Sequence, residues 1–330
     1  MKISCRGLLT TLLLTLSGGL HAELLALVWD NDIFFNTDGN YTNGLRLSWL
    51  SDEQTTSACS HCQLVEVAQG LSFLPGWGEK ESRYSMSWSL QQLMVTPSNI
   101  SLSRPQYQDT PYAGVLRLEL GLFSRHQQQV TGYGVILGAT GKASLAEQSQ
   151  KLVHNLTGST HPQGWDHQLQ DKPVVGFSGI HARLIKRWSN NNLEGEFGWG
   201  TAGELDSWMV QVQGGAFVKL GHNLSANLLP AYSVLGSAAS LPGLYTSHLA
   251  GWSLHAGVKA QHLFWSYLQE EGRKAGYAQG KQNTLVAGFA GASLHSQGWL
   301  LALSLEKSTP VGELGGETIN FGSLGLIWSF

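Results

Sequence analysis

Apolar and polar residues alternate with a period of two along most of the chain. In YTNGLRLSW, Tyr41, Leu45, Leu47 and Trp49 share one face, and Thr42, Gly44, Arg46 and Ser48 share the other. In GVLRLELGLF, Leu116, Leu118, Leu120 and Leu122 oppose Arg117, Glu119 and Gly121. SWMVQVQGGAFVKL and WSLHAGVKAQ repeat the pattern, setting Trp208, Val210, Trp252 and Leu254 against Gln211, Lys219, His255 and Lys259. Such alternation predicts strands with one apolar face. Many of the segments reach the length of roughly ten residues that a tilted membrane strand needs. Aromatic residues cluster near their ends, as interfacial girdles require. The pattern predicts about twelve strands, near residues 24–34, 41–50, 84–96, 111–124, 130–139, 173–188, 193–201, 207–220, 251–267, 283–294, 299–308 and 318–330. An even number returns both chain ends to the periplasm, and the last stretch, GSLGLIWSF, closes on Phe330 as outer-membrane barrels do. The expected fold is all-β: an antiparallel transmembrane β-barrel of about 12 strands, one domain over residues 23–330. A secreted β-sandwich, with its apolar faces turned inward, is the soluble alternative.

Composition favours the barrel. Only 13% of residues are charged, while the chain holds 40 Gly and 12 Trp, which suits an apolar outer wall around a polar lumen. The net charge of −3 argues against a nucleic-acid partner. Residues 1–22 read as a secretory signal, with Lys2 and Arg6 before the short apolar run Gly7–Leu16 and Ala22 at the cut. That run is too short for a spanning helix, which needs about 20 apolar residues. Cys59 and Cys62, spaced C-x-x-C around His61, suit a tight disulfide in an oxidising compartment, with a redox pair or a metal site as alternatives.

Two connections on the periplasmic side are long. Residues 51–83 hold the Cys pair and an amphipathic QLVEVAQGLSFL, and residues 221–250 have room for a further strand pair. On the outer side, residues 140–172 form a loop long enough to suspect a function. Within it, SLAEQSQKLVHNLTG predicts a helix opened by a Ser144–Glu147 capping box and stopped at Gly158. Leu145, Leu152 and Leu156 would stack on one side, free to dock on the barrel rim or in lipid. Gln150 and His154, four residues apart, fall together on another side.

The first strand breaks into Asp30-Asn31-Asp32 at the same outer end, and Thr42 opens the next strand. A histidine beside carboxylates and amides with no basic partner suggests metal-assisted hydrolysis. Asp32 with neighbouring oxygens, among them Asn31, would hold a hard cation such as Ca²⁺, which would polarise an ester carbonyl. His154 would deprotonate water. NTDGN lacks the ligand spacing and closing Glu of an EF-hand and reads as an Asx-rich turn. No Gly-x-Ser-x-Gly elbow is present to supply a serine nucleophile.

DNDIFFNTDGNYTNGLRLSW, QQLMVTPSNI, DTPYAG, SLAEQSQKLVH and GWDHQLQDKP occur in the order seen in the outer-membrane lipid A 3′-O-deacylase family, which the chain resembles over nearly its whole mature length. The resemblance implies a twelve-stranded barrel and Ca²⁺-dependent hydrolysis of the ester-linked 3′-acyloxyacyl group of lipid A. The site would lie between the barrel wall and a loop helix near the outer leaflet. It carries Asn31 and Asp32 onto the family's Asn-Asp, Thr42 onto the Thr of its Tyr-Thr, and Gln150 and His154 onto its helix pair, with His154 as the base. Departures exist. The family's active-site Lys has no counterpart in TPSNISLSRPQ, where Arg104 is the nearest basic residue. Thr110 stands where many members have Arg, and Lys172 where many have an acid. Strict alternation puts Asn31 and Asp32 on opposite faces, so either a bulge re-aims one of them or Asn31 acts at the wall's edge towards the membrane.

The expected partners are lipopolysaccharide and outer-membrane lipids, with the barrel a monomer in the bacterial outer membrane. Two other readings compete: a phospholipase-type esterase, and a passive pore or structural barrel.

Overall fold

The computed structural model describes residues 23–31, 43–55, 63–77, 79, 81–230, 241, 250–278, 283–310 and 318–330. The expected signal at 1–22 and the Cys59–Cys62 pair lie outside them.

The alternating segments form the strands β1 (Leu24–Asn31), β2 (Asn43–Leu50), the two-residue β3 (Gln54–Thr55), β4 (Arg83–Val95), β5 (Ala113–His126), β6 (Gln129–Thr140), β7 (Pro173–Asn190), β8 (Leu193–Asp206), β9 (Met209–His222), β10 (Gly251–Ser266), β11 (Thr284–Ser296), β12 (Trp299–Pro310) and β13 (Thr318–Ser329). Twelve of them, all but β3, make the wall. Each pairs antiparallel with its neighbours, β2 pairs directly with β4, and β1 pairs with β13, so the sheet closes on itself. Backbone hydrogen bonds between Glu23 and Phe330 lock the seam at the periplasmic rim. Closure removes the open edges that lipid cannot solvate.

The alternation sorts as expected. Leu45, Leu90, Leu120, Val135, Phe177 and Val258 are exposed on the outer wall. The lumen is filled rather than open. In its periplasmic half a cluster including Leu24, Val28, Phe123, Phe217 and Ile327 packs against Leu228, Leu229 and Leu241 of the β9–β10 connection. The described part of that connection holds no strand; it folds back into the barrel instead of extending the sheet. At the outer mouth, Val115, Ile136, Trp208 and Tyr267 form a second apolar cluster.

Paired charges line the lumen: Arg117 with Asp206 at 3.1 Å, Lys259 with Glu306 at 2.7 Å, and, near the periplasmic end, Lys219 with Glu196 at 2.7 Å. A cavity of about 30 Å³ beside Glu119, Ser178 and Glu204 has room for only a water or two. Among the described residues these contents fill much of the lumen, where a passive pore needs a channel.

Three α-helices among the described residues accompany the wall: α1 (Gln63–Gly70), α2 (Ala146–Thr157) and α3 (Tyr267–Lys274). The amphipathic segment predicted in 51–83 is α1. Its Val65 and Ala68 pack with Trp77 against Tyr84, Leu122 and Tyr133 on the outside of the barrel. No described helix is long and apolar enough to cross a membrane.

Candidate active site on the outer wall

The long outer loop places its helix where the spacing predicts, with one correction. Ser144 and Glu147 do not form a capping box. A 3-10 turn, Gly141–Ser144, comes first, and Leu145 in the left-handed region (φ 59°) caps α2 without a side-chain bond. The Ser144 hydroxyl donates back to the Gly141 carbonyl at 2.6 Å and its oxygen accepts the Ala146 N–H at 3.3 Å, so it links the turn to the start of the helix. Gly158, also left-handed (φ 70°), ends the helix as expected.

Of the two settings open to its leucines, rim or lipid, α2 takes the one away from the wall. Leu145, Leu152 and Leu156 are left exposed, and the buried positions are Ala146 and Gln150. The contact is close because the wall offers glycine. A Cβ on Gly114 of β5 would collide with the Ser144 hydroxyl and the Ala146 methyl. Gln92 of β4 secures the same approach by donating to the Ser144 carbonyl at 2.7 Å. With its small and amide residues against the wall, the helix turns its leucines outward, the side that meets lipid in an outer-membrane barrel.

Gln150 is 2% exposed, and its Oε1 accepts a 2.7 Å hydrogen bond from the indole nitrogen of Trp165, itself 1% exposed. Its Nε2 is buried with no acceptor among the described residues. Leaving such a donor unmatched costs about 1–3 kcal/mol. Trp165 packs at 5.0 Å on Tyr112, and both join Met94, Ala146 and Ile100 in one cluster beneath the helix. Tyr112 donates to the Ile100 carbonyl at 3.2 Å, and burial pushes its phenol up from 10, so it stays a neutral donor.

His154, one turn beyond Gln150, is half-buried. Its Nδ1 lies 2.5 Å from the Thr160 carbonyl. A carbonyl only accepts, so Nδ1 carries the proton and Nε2 keeps its lone pair.

Asn31 ends β1 at the outer rim, opposite Asn43 and Gly322. Register carries its level around the wall: Asn31 faces Asn43, Asn43 faces Met94, and Met94 faces Gly114, the residue on which α2 sits. Asn31 lies on the outward face with Trp29, whose indole donates to Asn43 at 3.0 Å. Strand spacing separates β1 from β5 by about 14 Å along the wall. Asp30 is corrected out of the cluster without basic partners. It faces the lumen and interacts electrostatically with Lys259 and Glu306. Asp32 and Thr42 lie outside the described residues. The structure thus brings Gln150 and His154 onto one helix and puts Asn31 on the same row of the wall.

The described residues hold no group of three or more His, Cys, Asp or Glu placed to bind a metal ion. Asn31 supplies an oxygen donor of the kind a hard cation takes. Of the positions that depart from the family pattern, Arg104 is exposed. Lys172 pairs with Glu271 of α3 at 2.8 Å, and the Thr110 amide is bonded by its neighbour Asp109 at 2.6 Å.

Trp165, Tyr112, Gln92 and Gly114 were not singled out from the sequence. Only Trp165 carried a signal, since a buried indole N–H needs an acceptor, but nothing in the pattern says which.

Among solved structures, the chain is similar to LpxR from Salmonella typhimurium, with a TM-score of 0.73 and 16% identity over 93% of this chain and 100% of that one. The β domain of the Bordetella autotransporter BrkA aligns over 94% of this chain and 99% of its own with a TM-score of 0.45 and 8% identity. No curated protein matches the sequence. The family model described as outer membrane protein LpxR matches residues 8–330. On that match, nearly the whole chain long, the protein belongs to the LpxR family, the outer-membrane lipid A 3′-O-deacylases.

Proposed function

We propose that this protein removes the ester-linked 3′-acyloxyacyl group of lipid A in the outer leaflet, in a Ca²⁺-dependent hydrolysis with His154 as the base. One observation carries the reading: a helix bearing a half-buried histidine and a buried amide is docked on the lipid-facing side of the wall, outside the packed lumen. A substrate held in the membrane reaches such a site laterally, without leaving the leaflet.

The chemistry follows from the groups present. The lone pair on His154 Nε2 takes a proton from water, while the Thr160 carbonyl steadies the imidazolium through Nδ1–H. The hydroxide adds to the ester carbonyl. The Gln150 Nε2–H stands ready for the oxygen on which negative charge develops. Collapse releases the fatty acid, and the imidazolium returns its proton to the departing sugar hydroxyl. Asn31 and Asp32 would hold Ca²⁺, and Thr42 joins them as a site residue by the family resemblance. Bound there, the cation supplies positive charge to the ester carbonyl. The barrel closes within one chain, which supports action as a monomer.

The test is incubation of the purified protein with lipid A or with phospholipid, with and without a chelator, followed by mass analysis of the released acid. Release of the acyloxyacyl group from lipid A, lost on chelation and restored by Ca²⁺, is the expected result. Release from phospholipid alone points to the phospholipase-type alternative, and release indifferent to chelator removes the cation from the reaction.

A further inference from the structure

We infer that Trp165 is a positioning residue: its indole N–H turns the Gln150 side chain so that the amide N–H is presented to a substrate oxygen. The inference rests on the deacylase reading and adds to it a residue outside the motif pair.

A glutamine amide has two nearly isosteric ends, one accepting and one donating, and rotation by half a turn exchanges them. In the buried cluster on the outer wall one neighbour decides between them. The indole of Trp165 can only donate, and it lies 2.7 Å from the amide. The flipped amide would set N–H against N–H where water is excluded, since the two residues are 2% and 1% exposed. Trp165 therefore holds Oε1 and sends Nε2 the other way, where it has no acceptor among the described residues.

The indole is itself fixed. It packs on Tyr112 at 5.0 Å with the rings inclined by 58°, and Tyr112 is tied to the Ile100 carbonyl. Gly164, the residue before Trp165, is pressed so near the Tyr112 ring that a Cβ there would collide with it. A rigid donor holding an amide whose other end is unmatched is the arrangement expected where a ligand oxygen completes the set. Simple packing of the helix would be served as well by a residue without an N–H.

Trp165→Phe keeps an aromatic ring against Tyr112 and removes the N–H. Measured on lipid A with the full-length protein in detergent, it should lower kcat about tenfold, the worth of roughly one neutral hydrogen bond, with KM little changed. Gln150→Ala should lower kcat at least as far, and the double variant should be no slower than Gln150→Ala alone. An unchanged kcat in Trp165→Phe overturns the inference. So does a tenfold loss that persists in the Gln150→Ala background, because Trp165 would then act by packing alone.

A second measurement does not depend on turnover. The ¹⁵N-indole signal of Trp165, identified by its absence in Trp165→Phe, should shift and lose protection from solvent exchange in Gln150→Leu. An unmoved signal overturns the inference whether or not acyl chains are released. A signal that moves in Gln150→Leu while the wild-type protein releases no acyl chain overturns the deacylase reading, and with it the substrate side of the inference.

Discussion

Two regions of this barrel bury polar groups and differ in what they match. The lumen pairs its cations with anions, although His255 Nε2 and both His295 ring nitrogens have no hydrogen-bond partner there among the described residues, while the outer wall leaves an amide donor unmatched. In the lumen, Lys219 is 1% exposed and Glu196 is fully buried, yet Lys219 meets Glu196, the Ser225 and Asn227 carbonyls and the Asn227 side chain. Arg117 meets Gln91, Glu204 and Asp206, and Lys259 meets Glu306. Each of these cations has an anion in contact, as a low-dielectric interior demands. On the outer wall the Gln150 amide is as deeply buried, but only its oxygen is matched. The difference separates a strut from a site. Cations paired with anions hold the lumen together, whereas the unmatched Gln150 donor lies on the outer wall, on the side from which the proposed substrate approaches.

The largest effect that sharpens this contrast is His154→Ala. It should lower the rate of acyl release by about 10²–10⁴-fold, the usual worth of a general base. The barrel should still resist heat in detergent gels, because His154 bonds only within its own loop. Activity retained in this variant would remove the base from the mechanism.

Breaking the lumen should do the reverse. Glu196→Gln leaves Lys219 buried without its counter-charge and should cost about 3–5 kcal/mol of stability, read as a lower denaturant midpoint. Activity per folded molecule should stay near wild type. Lost activity at unchanged stability would show that the lumen takes part in the chemistry.

The smallest effect lies in the outer cover. Hydrogen bonds from Lys172 and then Lys274 hold the Glu271 carboxyl below its ordinary value of 4.5. A depressed carboxylate stabilises the fold above its unfolded pKa, and that stability is lost as pH falls through the folded value. The protection factors of residues 267–278 against hydrogen exchange, taken relative to the intrinsic rate at each pH, should therefore fall on acidification below about pH 4.5, and Glu271→Gln should flatten the response. Glu271 belongs to a surface network, so the change should be modest.

Much of the fold was legible in the sequence because its signal is local. Side chains of a barrel strand point alternately to lipid and lumen, so period two marks each strand without knowledge of its partners. All twelve predicted strands are present, with described ends within a few residues of expectation except at the outer end of β8; the expected reach of β1 to residue 34 lies outside the described residues. The helix was legible too, from its spacing and from Gly158. Its docking face was not. Hydrophobicity points to Leu152 and Leu156, but in a membrane apolar side chains gain nothing by leaving lipid, and small residues decide close packing. Gly114, more than thirty residues upstream, sets that contact.

By itself, then, the sequence determined the alternating wall, the even count that brings both ends to one rim, and the pairing of Gln150 with His154 on one helix. Each depends only on neighbours a few residues apart. Only the tertiary structure decided that Asp30 belongs to the lumen, that the helix buries its amide and exposes its leucines, and that Trp165 orients Gln150. These depend on strand register and on contacts between distant segments, and no local period encodes them.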